Sequence, residues 1–112
     1  MRMRPKKNRD KRMEKVEKLF VSLDENGFAV IDKSFFANGE LFLEIGCGKG
    51  AFITGLSKQF PENKLLAVEL VPDVLMMAME KVDREDIRNV RFLHANAENI
   101  ADIIPAVLTS FS

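Results

Sequence analysis

The sequence predicts an α/β fold, the first β-α-β-α-β-α half of a doubly wound parallel sheet, preceded by a basic amino-terminal helix or arm. Three apolar runs of strand length alternate with amphipathic stretches of helical period, which is the pattern of parallel strands joined by crossover helices. A glycine-rich loop, Gly46-Cys47-Gly48-Lys49-Gly50, follows the first apolar run. Such a loop is typical of the first strand-to-helix turn in sheets that bind nucleotides.

Basic residues concentrate in the first twenty positions. Nine Lys and Arg residues stand there against three acids, so this segment carries a net charge of +6 and the remaining residues carry −6. A basic arm of this kind is typical of a segment that contacts phosphates, although a solvated helix face has the same composition. We expect residues 1–10 to be extended and a helix to begin at Lys11, because apolar residues recur from there at helical spacing. They are Met13, Val16, Leu19, Phe20 and Leu23.

The segment between the arm and the glycine loop is less regular. Residues 24–27, with the sequence Asp-Glu-Asn-Gly, predict a turn, and Phe28–Ile31 predicts a short strand. Residues 34–39 show neither period and are expected to be irregular.

The first two strands of the sheet and the helix between them follow. Leu41–Ile45 is too continuously apolar to be half-exposed and predicts a buried strand. The next stretch, residues 51–60, predicts a helix that Pro61 ends. Residues 65–70 predict a second strand with an acid, Glu69, near its end.

The third strand completes the predicted half-sheet. Pro72 suits the first position of a helix that we expect to run to about Val82. Val90–Leu93 predicts the third strand, and residues 96–99 a turn before a short helix that Pro105 would end.

Two such halves normally form a doubly wound sheet, with the first strand at its centre. Here Leu41–Ile45 is instead predicted to be an exposed edge, and an unpaired parallel edge invites pairing. We therefore expect the chain to be an incomplete portion, or the edge to be covered by another chain, including a second copy. Residues 1–39 are expected to form the basic arm with its helix and an irregular connection, and residues 40–112 the truncated ligand-binding half.

Composition excludes several classes of protein. The 112 residues contain no apolar run long enough to span a bilayer, and the basic amino terminus lacks the apolar core of a secretory signal. The lone cysteine, Cys47, excludes an internal disulfide and a structural zinc site. We expect a cytoplasmic protein with neither a membrane partner nor a metal.

Two cofactors are compatible with the glycine loop. Gly46-x-Gly48-x-x-Ala51 satisfies the dinucleotide fingerprint, and Glu69 stands where that motif places an acid for the ribose. Glu44 argues against a dinucleotide, because a carboxylate beside the glycine turn would repel the pyrophosphate that binds there. S-adenosylmethionine brings an ammonium and a sulfonium group instead, which a nearby acid favours. The charge pattern therefore favours S-adenosylmethionine, with a dinucleotide as the alternative.

Polar residues at the other strand ends extend this interpretation. The carboxylate of Glu69 suits two ribose hydroxyl donors, and Asn96-Ala97 suits an adenine edge. Each also has a simpler explanation, because Glu69 could stabilise the next helix amino terminus and Asn96 could cap a turn. His94 is interpreted as an ordinary strand residue. The candidate cofactor-binding residues are Glu44, Gly46, Gly48, Gly50, Glu69, Asn96 and Ala97.

Three segments resemble the bacterial tRNA (guanine-N7-)-methyltransferases. They are the glycine-loop segment Leu43–Ile53, the strand Ala67–Leu70 and the opening Met1-Arg2-Met3-Arg4. The pattern E-x-G-x-G-x-G is shared by many S-adenosylmethionine-dependent enzymes, and its combination with G-K-G-x-F-I and a basic arm is more specific. The resemblance covers residues 40–104 well and 1–20 loosely, whereas 23–38 fit poorly.

The resemblance implies a Rossmann-like methyltransferase that uses S-adenosylmethionine to methylate guanine N7 in tRNA. It implies that Glu44, Glu69 and Asn96 contact the cofactor, although some relatives have Asp where Asn96 stands. The basic arm would bind tRNA phosphates through Arg2, Arg4, Lys6 and Lys7.

One departure from the family concerns catalysis. The family carries an Asp-Pro-Trp-Pro-like segment whose aspartate is central to the reaction, and these 112 residues contain no tryptophan. The catalytic residue is therefore expected beyond Ser112, and these residues alone are expected to be inactive. The alternatives are an S-adenosylmethionine-dependent methyltransferase of small molecules or proteins, and a non-catalytic RNA-binding or scaffold module.

Overall fold

The computed structural model describes residues 6–30, 32–36, 41–46, 48 and 50–99. Several residues of the sequence predictions lie outside this part of the chain, namely Arg2, Arg4, Ile31, Cys47, Lys49 and residues 100–112 with Pro105.

Helices and strands alternate along the described chain. In order they are α1 (Lys6–Val16), β1 (Phe20–Val21), α2 (Lys33–Phe36), β2 (Leu41–Ile45), α3 (Ala51–Gln59), β3 (Lys64–Glu69), α4 (Pro72–Arg84) and β4 (Val90–His94), with short 3₁₀ helices at Glu17–Leu19 and Ala97–Asn99. The four strands form one parallel sheet in the order β1-β4-β3-β2. The predicted α/β fold with three sequential parallel strands is confirmed.

The amino-terminal region differs from its prediction. The helix begins at Lys6 rather than Lys11 and ends at Val16, and Phe20–Val21 forms a strand that pairs with Phe92 and Leu93 of β4. The helical spacing of Phe20 and Leu23 was therefore misleading. Phe20 is an aromatic residue that packs against the sheet core, and this tertiary pairing overrides the local pattern. The boundary between residues 1–39 and 40–112 stays a prediction.

The connection before β2 also differs from its prediction. The strand expected at Phe28–Ile31 is reduced, within the described residues, to one antiparallel bridge between Leu23 and Ala29. The helix α2 lies in the segment expected to be irregular. Asp32 caps α2, because its Oδ1 accepts hydrogen bonds from the Ser34 N–H at 3.1 Å and the Phe35 N–H at 3.2 Å.

Both faces of the sheet are packed. On one face, α1, α3 and α4 cover the sheet, and the fully buried side chains there include Val16, Ile53, Leu65, Met79 and Phe92. On the other face, the Phe35 and Phe36 rings of α2 pack against Leu66, Val68 and Leu93. Arg91 stacks on the Phe35 ring at 3.8 Å and covers part of this second cluster.

A single amide closes the turn between α3 and β3. Asn89 Nδ2 donates to the carbonyls of Ser57, Phe60 and Asn63 at 3.2, 3.1 and 3.0 Å. The break predicted at Pro61 is present, since α3 ends at Gln59. Asn89 therefore links the last turn of α3, through the Ser57 carbonyl, to the turn that leads into β3.

The strand β2 lies at an edge of the described sheet, as predicted, and pairs there with β3. Its predicted burial is wrong, because Leu43 and Ile45 are 45% and 44% exposed. A continuous apolar run indicates burial on both faces only when neighbouring elements cover both. Among the described helices, none has the length and apolar character needed to cross a membrane.

Candidate functional site at the carboxyl edge of the sheet

The predicted acids of β2 and β3, Glu44 and Glu69, lie where the strands of the sheet end, which is called the carboxyl edge below. Glu44 pairs in register with Ala67, and Glu69, two positions further along β3, pairs with His94 of β4. Because side chains of a strand alternate between faces, Glu44, Ala67 and Glu69 share one face. The structure therefore brings the two carboxylates to the same face at the carboxyl ends of adjacent strands.

The glycine loop depends on left-handed backbone conformations. Gly46, Gly48 and Gly50 have φ of 69°, 60° and 97°, a region that other residues rarely adopt. The Gly46 N–H donates to the Val68 carbonyl at 2.8 Å and anchors the loop on β3. A Cβ at Gly46 or Gly48 would meet nothing within 4 Å, so these positions leave open space beside the backbone.

Gly50 is constrained by packing as well as by conformation. It precedes the first residue of α3, and a Cβ there would lie 3.1 Å from Ala78 Cα and 3.2 Å from Ala78 Cβ. This contact holds the start of α3 against α4. The third glycine of the loop therefore sets the approach of two helices.

Glu69 ties the glycine loop to the start of α4. Its Oε1 accepts the Gly48 N–H at 3.0 Å, and its Oε2 accepts the Val71 N–H at 3.1 Å. The second bond fits the simpler explanation, in which Glu69 stabilises the next helix amino terminus. Each carboxylate oxygen has two acceptor positions, so the half-buried Glu69 keeps capacity for further donors.

Glu44 supplies a second negative charge at this edge. It is half-buried, and within the described residues no hydrogen bond or ion pair involves its carboxylate. Two carboxylates on adjacent strand ends create a negative potential that attracts a cationic ligand and repels a phosphate. The charge argument made from the sequence therefore applies to the geometry of the folded chain.

Asn96 caps the 3₁₀ helix that contains Ala97. Its Oδ1 accepts the Glu98 N–H at 2.9 Å, and its carbonyl accepts the Asn99 N–H at 2.9 Å. The Ala95 N–H donates to the Glu69 carbonyl at 3.2 Å, which joins the ends of β3 and β4. Asn96 therefore follows directly after the residue that joins β4 to β3, and its observed bond is that of a cap.

His94 has a structural role that the sequence interpretation missed. Its Nε2 lies 2.8 Å from the Leu70 carbonyl, and it must carry a proton there because a carbonyl only accepts. This bond fixes the turn that follows Glu69. The parallel register could have identified it, since His94 stands opposite Glu69 in the sheet.

Among the arm's basic side chains that the structure describes, those of Arg12 and Lys18 form intramolecular ion pairs. Arg12 Nε and Nη2 donate to Glu80 Oε2 and Oε1, both at 2.7 Å, and Lys18 Nζ lies 2.8 Å from Asp83 Oδ1. The hydrogen bonds from Arg12 lower the pKa of Glu80. Lys6 and Lys7, predicted RNA-binding residues, lie in the first turn of α1.

The described residues include no group of three or more His, Cys, Asp or Glu side chains that could hold a metal ion.

The two constraints on Gly50 predict a large effect of a small substitution. We expect Gly50→Ala to reduce the free energy of unfolding by about 2 kcal/mol, because of the left-handed backbone and the crowded Cβ. Gly55→Ala in α3 is the matched control, since its Cβ would meet nothing within 4 Å. We expect this control to gain about 0.8 kcal/mol of stability from helix propensity. Urea-induced unfolding measures the free energy of unfolding of both variants, and equal stability of the two would contradict the packing argument.

Comparison with known proteins identifies sequence relatives over most of the chain. The family model described as "Putative methyltransferase" matches residues 38–110. A tRNA (guanine-N(7)-)-methyltransferase of Clostridioides difficile is 36% identical over an alignment of 113 positions, gaps included, which covers 95% of this chain and 50% of that protein. One of Oceanobacillus iheyensis is 30% identical over 103 residues, 92% of this chain and 48% of that protein. The chain spans about half the length of these curated relatives.

A solved structure shares the fold. PKMT2 from Rickettsia typhi superposes with a TM-score of 0.50 at 18% identity, over 79% of this chain and 15% of that protein. This likeness supports the fold alone, whereas the family rests on the sequence matches. The chain belongs to this methyltransferase family and aligns with the amino-terminal part of the tRNA (guanine-N7-)-methyltransferases.

Proposed function

We propose that this chain is the cofactor-binding part of an enzyme that methylates N7 of a guanine in tRNA, with S-adenosylmethionine as the methyl donor. The observation that carries the proposal is the pair of carboxylates, Glu44 and Glu69, on adjacent strand ends beside a left-handed glycine loop. The names of the sequence relatives, tRNA (guanine-N(7)-)-methyltransferases, support the substrate.

The residues at this edge fit the cofactor in charge and in hydrogen-bonding chemistry. Glu69 retains acceptor capacity for two ribose hydroxyls, and Glu44 would attract the cationic end of the cofactor. The open space beside Gly46 and Gly48 lets the ligand approach the backbone closely. Asn96 and Ala97 follow the carboxyl end of β4, and there they would contact the adenine.

The chemistry requires little from this chain beyond binding and orientation. When bound, S-adenosylmethionine supplies a methyl group on a cationic sulfur. The carboxylates of Glu44 and Glu69 would hold it so that the methyl group faces an incoming guanine, which is a contribution of proximity and alignment. No residue needs to remove a proton from the guanine before the methyl transfer, because N7 already carries a lone pair.

The basic arm would bind the tRNA backbone. Arg2, Arg4, Lys6 and Lys7 are concentrated in a few residues of an otherwise acidic chain, and such a cluster contacts phosphates without reading bases. The arm would then contribute affinity, and the site at the sheet edge would receive the guanine.

One observation favours a second candidate, a non-catalytic RNA-binding or scaffold module. Both oxygens of Glu69 accept backbone N–H groups, which a purely structural role would require. In that case the glycine loop would be a turn of the fold and only the basic arm would bind a ligand.

Calorimetry with S-adenosylhomocysteine separates these candidates. We expect Glu69→Ala to lower the affinity about tenfold or more, because hydrogen bonds to a charged group are lost. Glu62→Ala removes an exposed carboxylate from the turn before β3 and should leave the affinity unchanged. Equal affinity of Glu69→Ala and the parent would rule out the site assignment, and absence of binding by the folded parent would favour the module.

The reaction itself is tested with a full-length protein that contains these 112 residues. We expect labelled methyl groups to be transferred to unmodified tRNA and not to tRNA in which the target guanosine is replaced by 7-deazaguanosine, since the replacement lacks N7. Transfer to a small molecule or a protein, with none to tRNA, would favour another class of methyltransferase and contradict the proposed substrate.

The arm is tested by the salt dependence of tRNA binding. We expect the combined substitution of Arg2, Arg4, Lys6 and Lys7 by Ala to reduce the slope of log affinity against log salt by about three, because each phosphate contact contributes roughly 0.7 to 0.9. Fluorescence anisotropy with labelled tRNA measures this slope. An unchanged slope would show that the arm is a solvated tail.

A further inference from the structure

The helix α1 has a defined direction relative to the candidate site. A cavity of about 160 Å³ is lined by Asp10 and Met13 of α1, by Pro72 at the start of α4 and by His94 at the end of β4. Pro72 and His94 both mark the carboxyl edge of the sheet, so the early part of α1 lies at this edge. Lys18, beyond the end of α1, instead pairs with Asp83 near the end of α4. The two helices therefore run side by side in the same direction.

The direction of α1 brings its first residues to the edge where Glu69 lies. Lys6 stands four residues before Asp10, which corresponds to about 6 Å along a helix. The first residue of α1 therefore lies at the carboxyl edge of the sheet. A helix packed in the opposite direction would carry the same charges to the amino edge, away from the glycine loop.

Two kinds of contact hold α1 in this position. Val16 and Leu19 are buried in the core, and Met13 packs against the same cluster. The Arg12 guanidinium donates a hydrogen bond to each carboxylate oxygen of Glu80 on α4, which is a bidentate ion pair. The cations of this region thus fall into two groups. Arg12 and Lys18 form ion pairs with acids of α4, whereas Lys11 and Lys15 form no ion pair within the described residues and follow one another at the four-residue spacing of one helix face. Lys15 is also close enough to Glu80 to contribute to the lowering of its pKa.

We propose that α1 is a docked helix that presents Lys11 and Lys15, on its exposed side, to RNA phosphates, and that Arg12–Glu80 is its positioning pair. Arg12 is then a positioning residue and makes no contact with RNA. This inference rests on the proposed function of the arm. It adds that Lys11 and Lys15 contact RNA, whereas Arg12 holds α1 in position.

Arg12 could act on RNA binding through its charge or through the position of α1, and the two roles predict opposite changes in RNA affinity for Glu80→Gln. Glu80→Gln removes a negative charge and releases a cation, so electrostatics alone predicts tighter binding to a polyanion. If the pair positions α1, the same substitution weakens binding, because a helix that is held less firmly against α4 loses more mobility when RNA binds. Whether Glu80→Gln raises or lowers the affinity for RNA therefore distinguishes the electrostatic role of Arg12 from its positioning role.

The experiment measures the affinity of the full chain for unmodified tRNA over a range of salt concentrations. We expect Glu80→Gln and Arg12→Gln each to lower the affinity about two- to fivefold, as for the loss of a partly exposed ion pair, with an unchanged salt slope. The exchanged pair, Arg12→Glu with Glu80→Arg, should recover most of the loss. Lys11→Gln with Lys15→Gln should instead reduce the slope by about 1.5, because two phosphate contacts disappear.

Glu62→Gln is the matched control, since it removes one exposed carboxylate remote from α1, and S-adenosylhomocysteine binding reports that each variant keeps its site. Tighter binding by Glu80→Gln, or a slope lowered by Arg12→Gln and not recovered by the exchange, would overturn the positioning role. Absence of salt-dependent tRNA binding in the parent chain would overturn the proposed function of the arm itself.

Discussion

The candidate site depends on one carboxylate that bridges two backbone segments. Glu69 accepts the Gly48 N–H with one oxygen and the Val71 N–H with the other. The loop after β2 and the turn before α4 are therefore held by the same side chain, at the end of the strand between them. A hydrogen bond from a backbone amide to a charged acceptor is stronger than one between neutral groups, so this bridge organises the edge even without a ligand.

The neighbouring contacts extend the bridge along the edge. The His94 ring donates to the Leu70 carbonyl, and the Ala95 N–H donates to the Glu69 carbonyl. Backbone groups on both sides of Glu69 are thus engaged by the end of β4. A ligand that adds hydroxyl donors to the carboxylate would meet a side chain whose position is already set, which reduces the entropy lost on binding.

Strong periodicity made the central sheet predictable, whereas features that depend on tertiary packing were not. The strands at residues 41–45 and 90–94, and the helix beginning at Pro72, carry apolar patterns and a proline that act locally. Phe20 satisfies a helical pattern equally well, but pairing with Phe92 draws it into the sheet. The exposure of Leu43 depends on which neighbour β2 has, and no pattern within five residues encodes that.

The site could be predicted in part for the same reason. Glu44 and Glu69 follow from charge at strand ends, because parallel strands place their carboxyl ends together. The bond of His94 requires the register of β4 against β3, and the division of the arm's cations requires the direction of α1. Both are properties of the assembled sheet and helices. The capping bond of Asn96 corresponds to the simpler of its two interpretations, and its contact with a ligand stays a prediction.

Gly50 and Ala78 form a steric pair whose two constraints differ in kind. Shortening Ala78 to glycine would remove the contact with its Cβ at 3.2 Å but leave the contact with its Cα at 3.1 Å, so the opposite helix can relieve only part of the crowding. The left-handed φ of 97° at Gly50 cannot be relieved in this way, because it belongs to the backbone of the loop itself. A substitution on α4 can therefore remove a side-chain contact, but neither the backbone contact nor the backbone conformation of position 50. Both constraints on position 50 thus involve backbone atoms, and only the absence of a side chain meets them together.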